Sequence, residues 1–100
     1  MADKDDVRLI IADTDSDYFT DAQIESFLRL EGDDVRRASA LALETMASNE
    51  ALVQKQIRIL DLSTNGPAVA KELRERAAVL REQADDEDGG FDIYAWSDDD

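Results

Sequence analysis

The stretch from residue 33 to residue 62 contains neither glycine nor proline, and apolar side chains recur along it at helical spacing. From Val35 to Ala47 these side chains fall on several sides, which is typical of a helix that is buried on more than one face. A short polar interruption around Asn49 precedes further apolar residues that continue to Leu62. Because no helix breaker is present, we predict one long helix over about residues 34–62, and we leave open a break near Asn49.

A helix start is marked by Thr20 and Gln23, which have the spacing of a capping box. In this motif the Thr20 hydroxyl accepts a hydrogen bond from the amide three residues on, while the Gln23 side chain reaches back. We therefore predict a helix over about residues 21–31, with Gly32 as the residue that follows its end. One of the two aspartates after Gly32 is expected to cap the next helix.

Two further segments are assigned from local signals. The apolar run from Val7 to Ala12 is too short for periodicity to separate a strand from a helix. A short helix is favoured there, because no second strand is evident to pair with it. Near the other end, the turn at Asn65-Gly66 precedes Pro67, whose missing amide hydrogen costs nothing at a first helical position. A last helix is therefore predicted over about residues 67–86.

Together these segments predict an all-α fold, a small helical bundle with an extended C-terminal tail. Residues 1–19 form an N-terminal segment with a short helix and an acidic loop, residues 20–86 form the helical domain, and residues 87–100 form an acidic and aromatic tail that docks on a partner. Eight apolar residues of the two strongest helices are predicted to form the core or to contact a neighbouring subunit. They are Val35, Ala38, Leu41, Ala42, Met46, Leu73, Ala77 and Leu80.

The formal net charge of −14 is concentrated at the two ends of the chain. Residues 1–21 carry seven acids and two bases, residues 85–100 carry eight acids and no base, and the stretch between them carries ten acids and nine bases. A chain this acidic repels nucleic acid phosphates, so direct DNA binding is not expected. Three roles remain for the acidity. It can form a surface past which DNA slides, it can mimic DNA, or it can only keep the chain soluble.

The C-terminal segment combines this acidity with aromatic residues. The glycine pair at residues 89–90 is expected to break the chain, and Phe91, Ile93, Tyr94 and Trp96 follow it within an acidic stretch. An extended segment of this kind adds to the sheet edge of a partner while its aromatic side chains fill pockets. The alternative is that these side chains fold back onto the chain's own helices.

The residue types that usually carry catalysis or bind metals are scarce. The chain has no cysteine and no histidine, which excludes disulfides and thiolate metal sites and removes the usual general base near neutral pH. The run Asp13–Asp17 copies the start of an EF-hand loop, but Tyr18 stands where that loop needs glycine and Ile24 where it needs glutamate. We therefore expect no enzymatic activity, no cofactor and no metal, and we interpret the loop as the lead into a helix cap.

Membrane insertion is not expected either. No segment approaches the roughly 18 consecutive apolar residues of a membrane span. The acidic start of the chain does not have the basic and then apolar pattern of a signal peptide. The sequence thus predicts a soluble protein made in the cytoplasm, with no membrane partner.

Four segments, in this order and at this spacing, resemble the small head–tail connector proteins (adaptor or head-completion proteins) of tailed bacteriophages. They are Val7–Asp15, Tyr18–Leu28, Val35–Asn49 and Asp61–Ala70, the last of which leads into a helix rich in Ala, Leu and Arg. This fourth segment is similar to the versions found in actinobacterial phages with long tails. The resemblance covers about residues 7–86.

The resemblance implies a structural virion protein at the head–tail interface, made in the host cytoplasm. In this family identical subunits form a dodecameric ring beneath the portal protein, which extends the DNA channel and offers an attachment platform to a tail-side connector or tail terminator protein. Packaged DNA passes through such a channel without sequence-specific binding. C-terminal extensions in the family commonly reach the portal, which agrees in general character with a docking tail over residues 87–100.

Two other classes of function stay open. One is a small helical binding module, since the helix before Gly32 and the alanine-rich helix after it also resemble ubiquitin-associated-type three-helix domains. Such a domain would be complete by about residue 50 and would leave the helix at 67–86 unexplained. The other is an acidic DNA mimic acting on a host protein, which needs acids arrayed on a rigid surface, whereas here they concentrate in the end segments.

Overall fold

The computed structural model describes residues 2–60 and 65–96, with side chains for residues 3–60 and 65–87. The described residues form five α-helices and no strand, so the predicted all-α bundle is confirmed. The helices are α1 (Ala2–Ile11), α2 (Asp21–Leu30), α3 (Val35–Ala47), α4 (Glu50–Leu60) and α5 (Gly66–Trp96). None of these described helices combines the length and the apolar character that crossing a membrane requires.

The ends of α2 follow the local signals in the sequence. The Gln23 amide donates to Thr20 Oγ1 at 3.2 Å and the Thr20 amide donates to Gln23 Oε1 at 2.8 Å, which confirms the capping box. At the other end Gly32 (φ 67°) and Asp33 (φ 62°) both adopt the left-handed conformation. The Asp33 amide donates to the Leu28 carbonyl at 2.7 Å, and the Gly32 amide donates to the Arg29 carbonyl at 3.4 Å. This pair of bonds is the Schellman motif, and it turns the chain into α3.

The helix predicted over residues 34–62 is two helices rather than one. It starts as expected, with Asp34 as the cap, but α3 ends at Ala47 and α4 begins at Glu50. Asn49 causes the break, because its side-chain oxygen accepts a hydrogen bond from the Leu52 amide at 3.2 Å and so supports a new helix start. A new helix can therefore begin here without glycine or proline. The predicted residues 61 and 62 lie outside the described residues.

The last helix also differs from the prediction. Its backbone stays helical through the glycine pair at residues 89–90 and ends at Trp96, where an extended tail after residue 86 was expected. Glycine in a helix is only about 1 kcal/mol less favourable than alanine. No proline follows Pro67, so a helix already formed on the packed part of α5 propagates through the pair. Residues 97–100 of the predicted tail lie outside the described residues.

Helix α3 lies at the centre of the bundle and contacts each of the other four helices. Helix α5 runs antiparallel to α3, since Arg37 meets Asp85 while Glu44 meets Arg81. Within the described residues, α4 packs on α3 and α5, and α1 packs on α2 and α3. Completely buried side chains of α1, α2, α3 and α5 form one core. They include Val7, Ile24, Ala38, Ala42, Leu43, Met46, Leu73 and Ala77.

Candidate docking surfaces

The structure divides the eight predicted core or interface residues into two groups. Five of them are at most 1% exposed and lie in the core; these are Ala38, Ala42, Met46, Leu73 and Ala77. The other three, Val35, Leu41 and Leu80, are half-buried. Because the first five have no surface to offer a neighbour, only the last three remain available, and their contact with another subunit stays a prediction.

The predicted docking residues Phe91, Ile93, Tyr94 and Trp96 have side chains outside the described part of the chain, but their backbone belongs to α5. A helix makes its backbone hydrogen bonds internally, so it has none to add to the edge of a partner's sheet. The expected mode of docking therefore changes from strand addition to a helix in a groove. Nine helical residues follow Glu87 (96 − 87 = 9), a length of about 13 Å.

An apolar face is exposed where residues of α1, α3 and α5 border the same surface depressions. Leu9 is 69% exposed and Val79 is 50% exposed, and the half-buried Ile10, Val35 and Leu80 complete the set. Ile10 borders two surface depressions, one of about 520 Å³ shared with Leu9 and Val35, and one of about 270 Å³ shared with Val79 and Leu80. Single exposed apolar residues are ordinary, whereas an adjoining group marks a contact site. We call these five residues the apolar face.

Acidic residues line the larger depression of the apolar face. They are Asp6, Asp33, Asp34 and Glu87. The last two are compensated by arginines of α3, since Glu87 pairs with Arg36, and Asp34 pairs with Arg37 at 3.4 Å. The first two have no ion-pair partner among the described residues. The edge of the apolar face beside α1 therefore carries uncompensated negative charge.

A second exposed apolar site lies at the end of α4. Ile59 is 45% exposed and Leu60 is 54% exposed. Arg58, directly before them, is exposed and has no ion-pair partner in the part of the chain that the structure describes. This α4 tip, which we define as Arg58, Ile59 and Leu60, thus pairs apolar surface with positive charge.

Arg81 fixes the position of α5 against α2 and α3. Its guanidinium donates to both carboxylate oxygens of Glu44, at 2.8 and 2.9 Å, and to both of Glu31, at 3.2 and 3.4 Å. The hydrogen bond from Arg81 holds the pKa of Glu44 below its ordinary value, and the two carboxylates raise the pKa of Arg81. Bidentate arginine–carboxylate pairs add geometric specificity, so this cluster sets which part of α5 faces α3.

The acidic loop between α1 and α2 is organised by a buried ion pair. Asp13 is 1% exposed, and its carboxylate accepts hydrogen bonds from Arg8 Nη1 at 3.1 Å and from the amides of Tyr18 and Phe19 at 3.1 and 3.0 Å. Arg8 also donates to the Phe19 carbonyl at 3.0 Å and to Asp21 at 2.7 Å. The hydrogen bond from Arg8 is the main cause of the lowered pKa of Asp21. The loop is therefore tied to the last turns of α1.

Two more contacts hold this loop against the bundle. The ring of Phe19 packs edge-on against Phe27 of α2, with 5.0 Å between centroids. Lys55 of α4 donates to the backbone carbonyl of Asp17. Partial burial raises the pKa of the Tyr18 hydroxyl, with the nearby Asp17 adding to the effect.

The EF-hand-like pattern has a structural use in this fold. Both oxygens of Asp13, its first position, are occupied by donors of the chain itself, so they are not presented to an ion. Among the described residues, no three His, Cys, Asp or Glu side chains converge in a way that would hold a metal ion. The aspartate that opens the run is an anchor for the loop.

The Arg8–Asp13 pair is the feature that the sequence interpretation missed. A signal for it exists, because Arg8 is the one charged residue in the apolar run from Val7 to Ala12. Charged residues are almost never fully buried unless they are paired, so a charge inside an apolar segment indicates a partner nearby. The exposure of Leu9 beside the buried Val7 has no comparable local signal.

Comparisons of the chain with protein-family models, with curated proteins and with solved structures give no significant match. The described residues thus form a small all-α bundle whose exposed apolar residues include the apolar face and the α4 tip. Its function has to be argued from those surfaces and from the helix that continues past them.

Proposed function

We propose that the chain is a structural subunit of the head–tail connector of a tailed bacteriophage, that is, an adaptor or head-completion protein of the virion. Identical copies form a ring, dodecameric as the resemblance implies, between the portal protein and a tail-side connector or tail terminator protein. The ring extends the DNA channel and provides the platform for tail attachment. The protein is made in the host cytoplasm and ends at the head–tail interface.

The observation that carries the proposal is the apolar face on a chain that is otherwise highly charged. Charged residues make up 36% of the sequence, yet Leu9 and Val79 are at least half exposed beside three further apolar residues. Covering apolar surface contributes about 25 cal/mol for each Å² removed from water. A subunit that completes its burial against neighbours has a surface of this kind.

The acidity of the chain supports the same role. The net charge of −14 is repeated with every copy around a ring. Negative charge on a channel wall repels DNA phosphates, so DNA passes without sticking. Several of the arginines in the described chain are already engaged with acids of the same chain, among them Arg8, Arg36, Arg37 and Arg81.

The C-terminal part of α5 supports docking on the portal. Glu87 of α5 contacts α3 through Arg36, and nine helical residues follow it. These nine include the predicted docking residues Phe91, Ile93, Tyr94 and Trp96. Aromatic residues are frequent anchors of protein interfaces. In the proposal this segment docks on the portal as a helix.

Co-expression with the portal protein encoded in the same genome, followed by affinity capture and electron microscopy, tests the proposal. The expected result is a complex in which a ring of this chain lies on the portal. If the intact chain is folded but does not bind the portal, the proposal is rejected.

Two truncated chains make this test specific. A chain ending at Glu87 is expected to lose portal capture, while a matched control ending at Trp96 keeps it. Both are expected to retain the circular dichroism spectrum of a helical bundle, because both keep the core residues from Val7 to Ala77. A general loss of helicity in the shorter chain would instead support the alternative in which the aromatic residues fold back onto the bundle.

A DNA mimic is the second candidate, and one observation favours it. Asp3, Asp5 and Asp6 of α1 are carried on a helical backbone, as are the acids of α5. A mimic of this kind would displace DNA from a host DNA-binding protein. Displacement at stoichiometric concentration, without portal binding, would favour the mimic over the connector.

A further inference from the structure

The chain carries two exposed sites with opposite charge and shared apolar character. The first is the α1 part of the apolar face, where Leu9 lies beside Asp6 and Asp33, two acids that have no ion-pair partner within residues 3–60 and 65–87. The second is the α4 tip, where Arg58 has no ion-pair partner among the described residues and precedes two exposed aliphatic side chains. The charges without a described ion-pair partner are therefore opposite in sign at the two sites.

The two sites lie apart in the folded chain. Glu87 of α5 lines the depression that holds Leu9, whereas Gly66, at the start of α5, lies against Val53 of α4. These two α5 residues are 21 positions apart (87 − 66 = 21), which along a helix is about 31 Å. Leu60 precedes Gly66 by six residues, and no described residue of α4 lines the depression beside Leu9. In the folded chain the two sites therefore do not contact each other.

We propose that the α4 tip of one copy occupies the acid-edged depression beside Leu9 on the next copy. In this contact Ile59 and Leu60 cover the apolar face, and Arg58 meets Asp6 and Asp33. Two different surfaces meet, so the contact is heterologous, and heterologous contacts close into rings when the rotation between copies permits it. The inference rests on the proposed function, for which it names the subunit interface.

The charges set the direction of this contact. Two copies that met through their acid-edged depressions would bring like charges together, and so would two copies that met through their α4 tips. Like charges at an interface suppress the wrong pairing, whereas opposite charges favour the right one and fix its register. The arrangement therefore selects the head-to-tail contact over either symmetric dimer.

Disulfide trapping tests the inference directly, because the chain contains no cysteine. An affinity-tagged Leu9→Cys variant and an untagged Leu60→Cys variant are mixed, oxidised, and separated by electrophoresis without reductant, both as free chains and on the portal. Both positions are exposed, so the fold is expected to persist, and circular dichroism checks it. Disulfides form only where two Cα atoms approach within about 7 Å, so the mixed pair is expected to cross-link about tenfold more than control pairs.

The control pairs use exposed alanines on α4 and α2. Leu9→Cys is mixed with Ala51→Cys, which lies nine residues before Leu60 on α4 and so about 13 Å away along the helix. Leu60→Cys is mixed with Ala22→Cys on α2. Cross-linking of the test pair at the control level would overturn the inference, and so would a predominant Leu9–Leu9 dimer.

The two proposals fail in different ways. A ring on the portal that shows no Leu9–Leu60 cross-link above the controls overturns this interface and leaves the connector proposal standing. Head-to-tail cross-links in a chain that does not bind the portal overturn the connector proposal and leave the interface standing.

Discussion

Replacing Asp13 by asparagine removes the negative charge inside the α1–α2 loop while keeping the shape of the side chain. The carboxylate now accepts hydrogen bonds from the Tyr18 and Phe19 amides and from Arg8. An asparagine has one acceptor oxygen, and its NH₂ group faces donors instead of receiving them. At least one buried donor therefore loses its acceptor, and Arg8 loses one of its two carboxylate partners.

The magnitude follows from these losses. A hydrogen bond to a charged group contributes about 1.5–3 kcal/mol, and breaking a buried ion pair costs about 3–5 kcal/mol. Arg8 keeps Asp21 at 2.7 Å, which reduces the second cost, so we expect the free energy of unfolding to fall by about 3 kcal/mol. For a domain of this size the midpoint of thermal unfolding then drops by about 12–24 °C.

Urea unfolding followed by circular dichroism measures this change, with an unchanged slope indicating that the native state has stayed compact. Asp15→Asn is the matched control, because it removes the same charge from the same loop at an exposed position. Its effect is expected to stay within about 0.5 kcal/mol. The reasoning is refuted if Asp13→Asn and Asp15→Asn unfold at the same urea concentration.

Three further predictions follow from other contacts. Arg81 holds the pKa of Glu44 below its ordinary value near 4.5, so the pair adds stability above that pH and loses it as the pH falls through the lowered pKa. In acid unfolding between pH 5 and pH 3, Glu44→Gln is therefore expected to lose less stability than the wild type. Asn49→Ala removes the cap of α4 and is expected to lower the free energy of unfolding in urea by about 1 kcal/mol. An unchanged free energy of unfolding would show that the helix break does not depend on this side chain. Trp96→Ala is expected to weaken portal capture by about 2 kcal/mol, or roughly 30-fold in titrations, whereas equal affinity of this variant and the control Asp98→Ala would argue against an anchor.

The local features of this fold are predictable from the sequence because the residues that form each of them are close together along the chain. The capping box at Thr20 and Gln23 spans three residues, and the Schellman turn at Gly32 needs only the glycine and the end of a helix. The break at Asn49 is equally local, but its signal in the sequence is weak, since a capping asparagine competes only weakly with helix continuation in a pattern without glycine or proline.

The features that define the candidate site depend on contacts that no local pattern encodes. Arg81 meets Glu44 and Glu31 across 37 and 50 residues, and its role appears only when α5 lies along α3. Likewise, periodicity marks Leu9 and Val7 equally as apolar, and only the packing of α1 decides that one is exposed and the other buried. The composition of the C-terminal segment indicates that its aromatic residues are unusual, but it does not predict the helical backbone that carries them.

The central claim is that this small bundle becomes complete only by assembly on a portal. Electron microscopy of the chain co-assembled with its portal tests it most directly. The claim predicts a closed ring of copies beneath the portal, with the end of α5 in contact with it and the α4 tip of each copy against α1 of the next. A folded monomer that leaves the portal bare, at protein concentrations well above those of the purified complex, would contradict it.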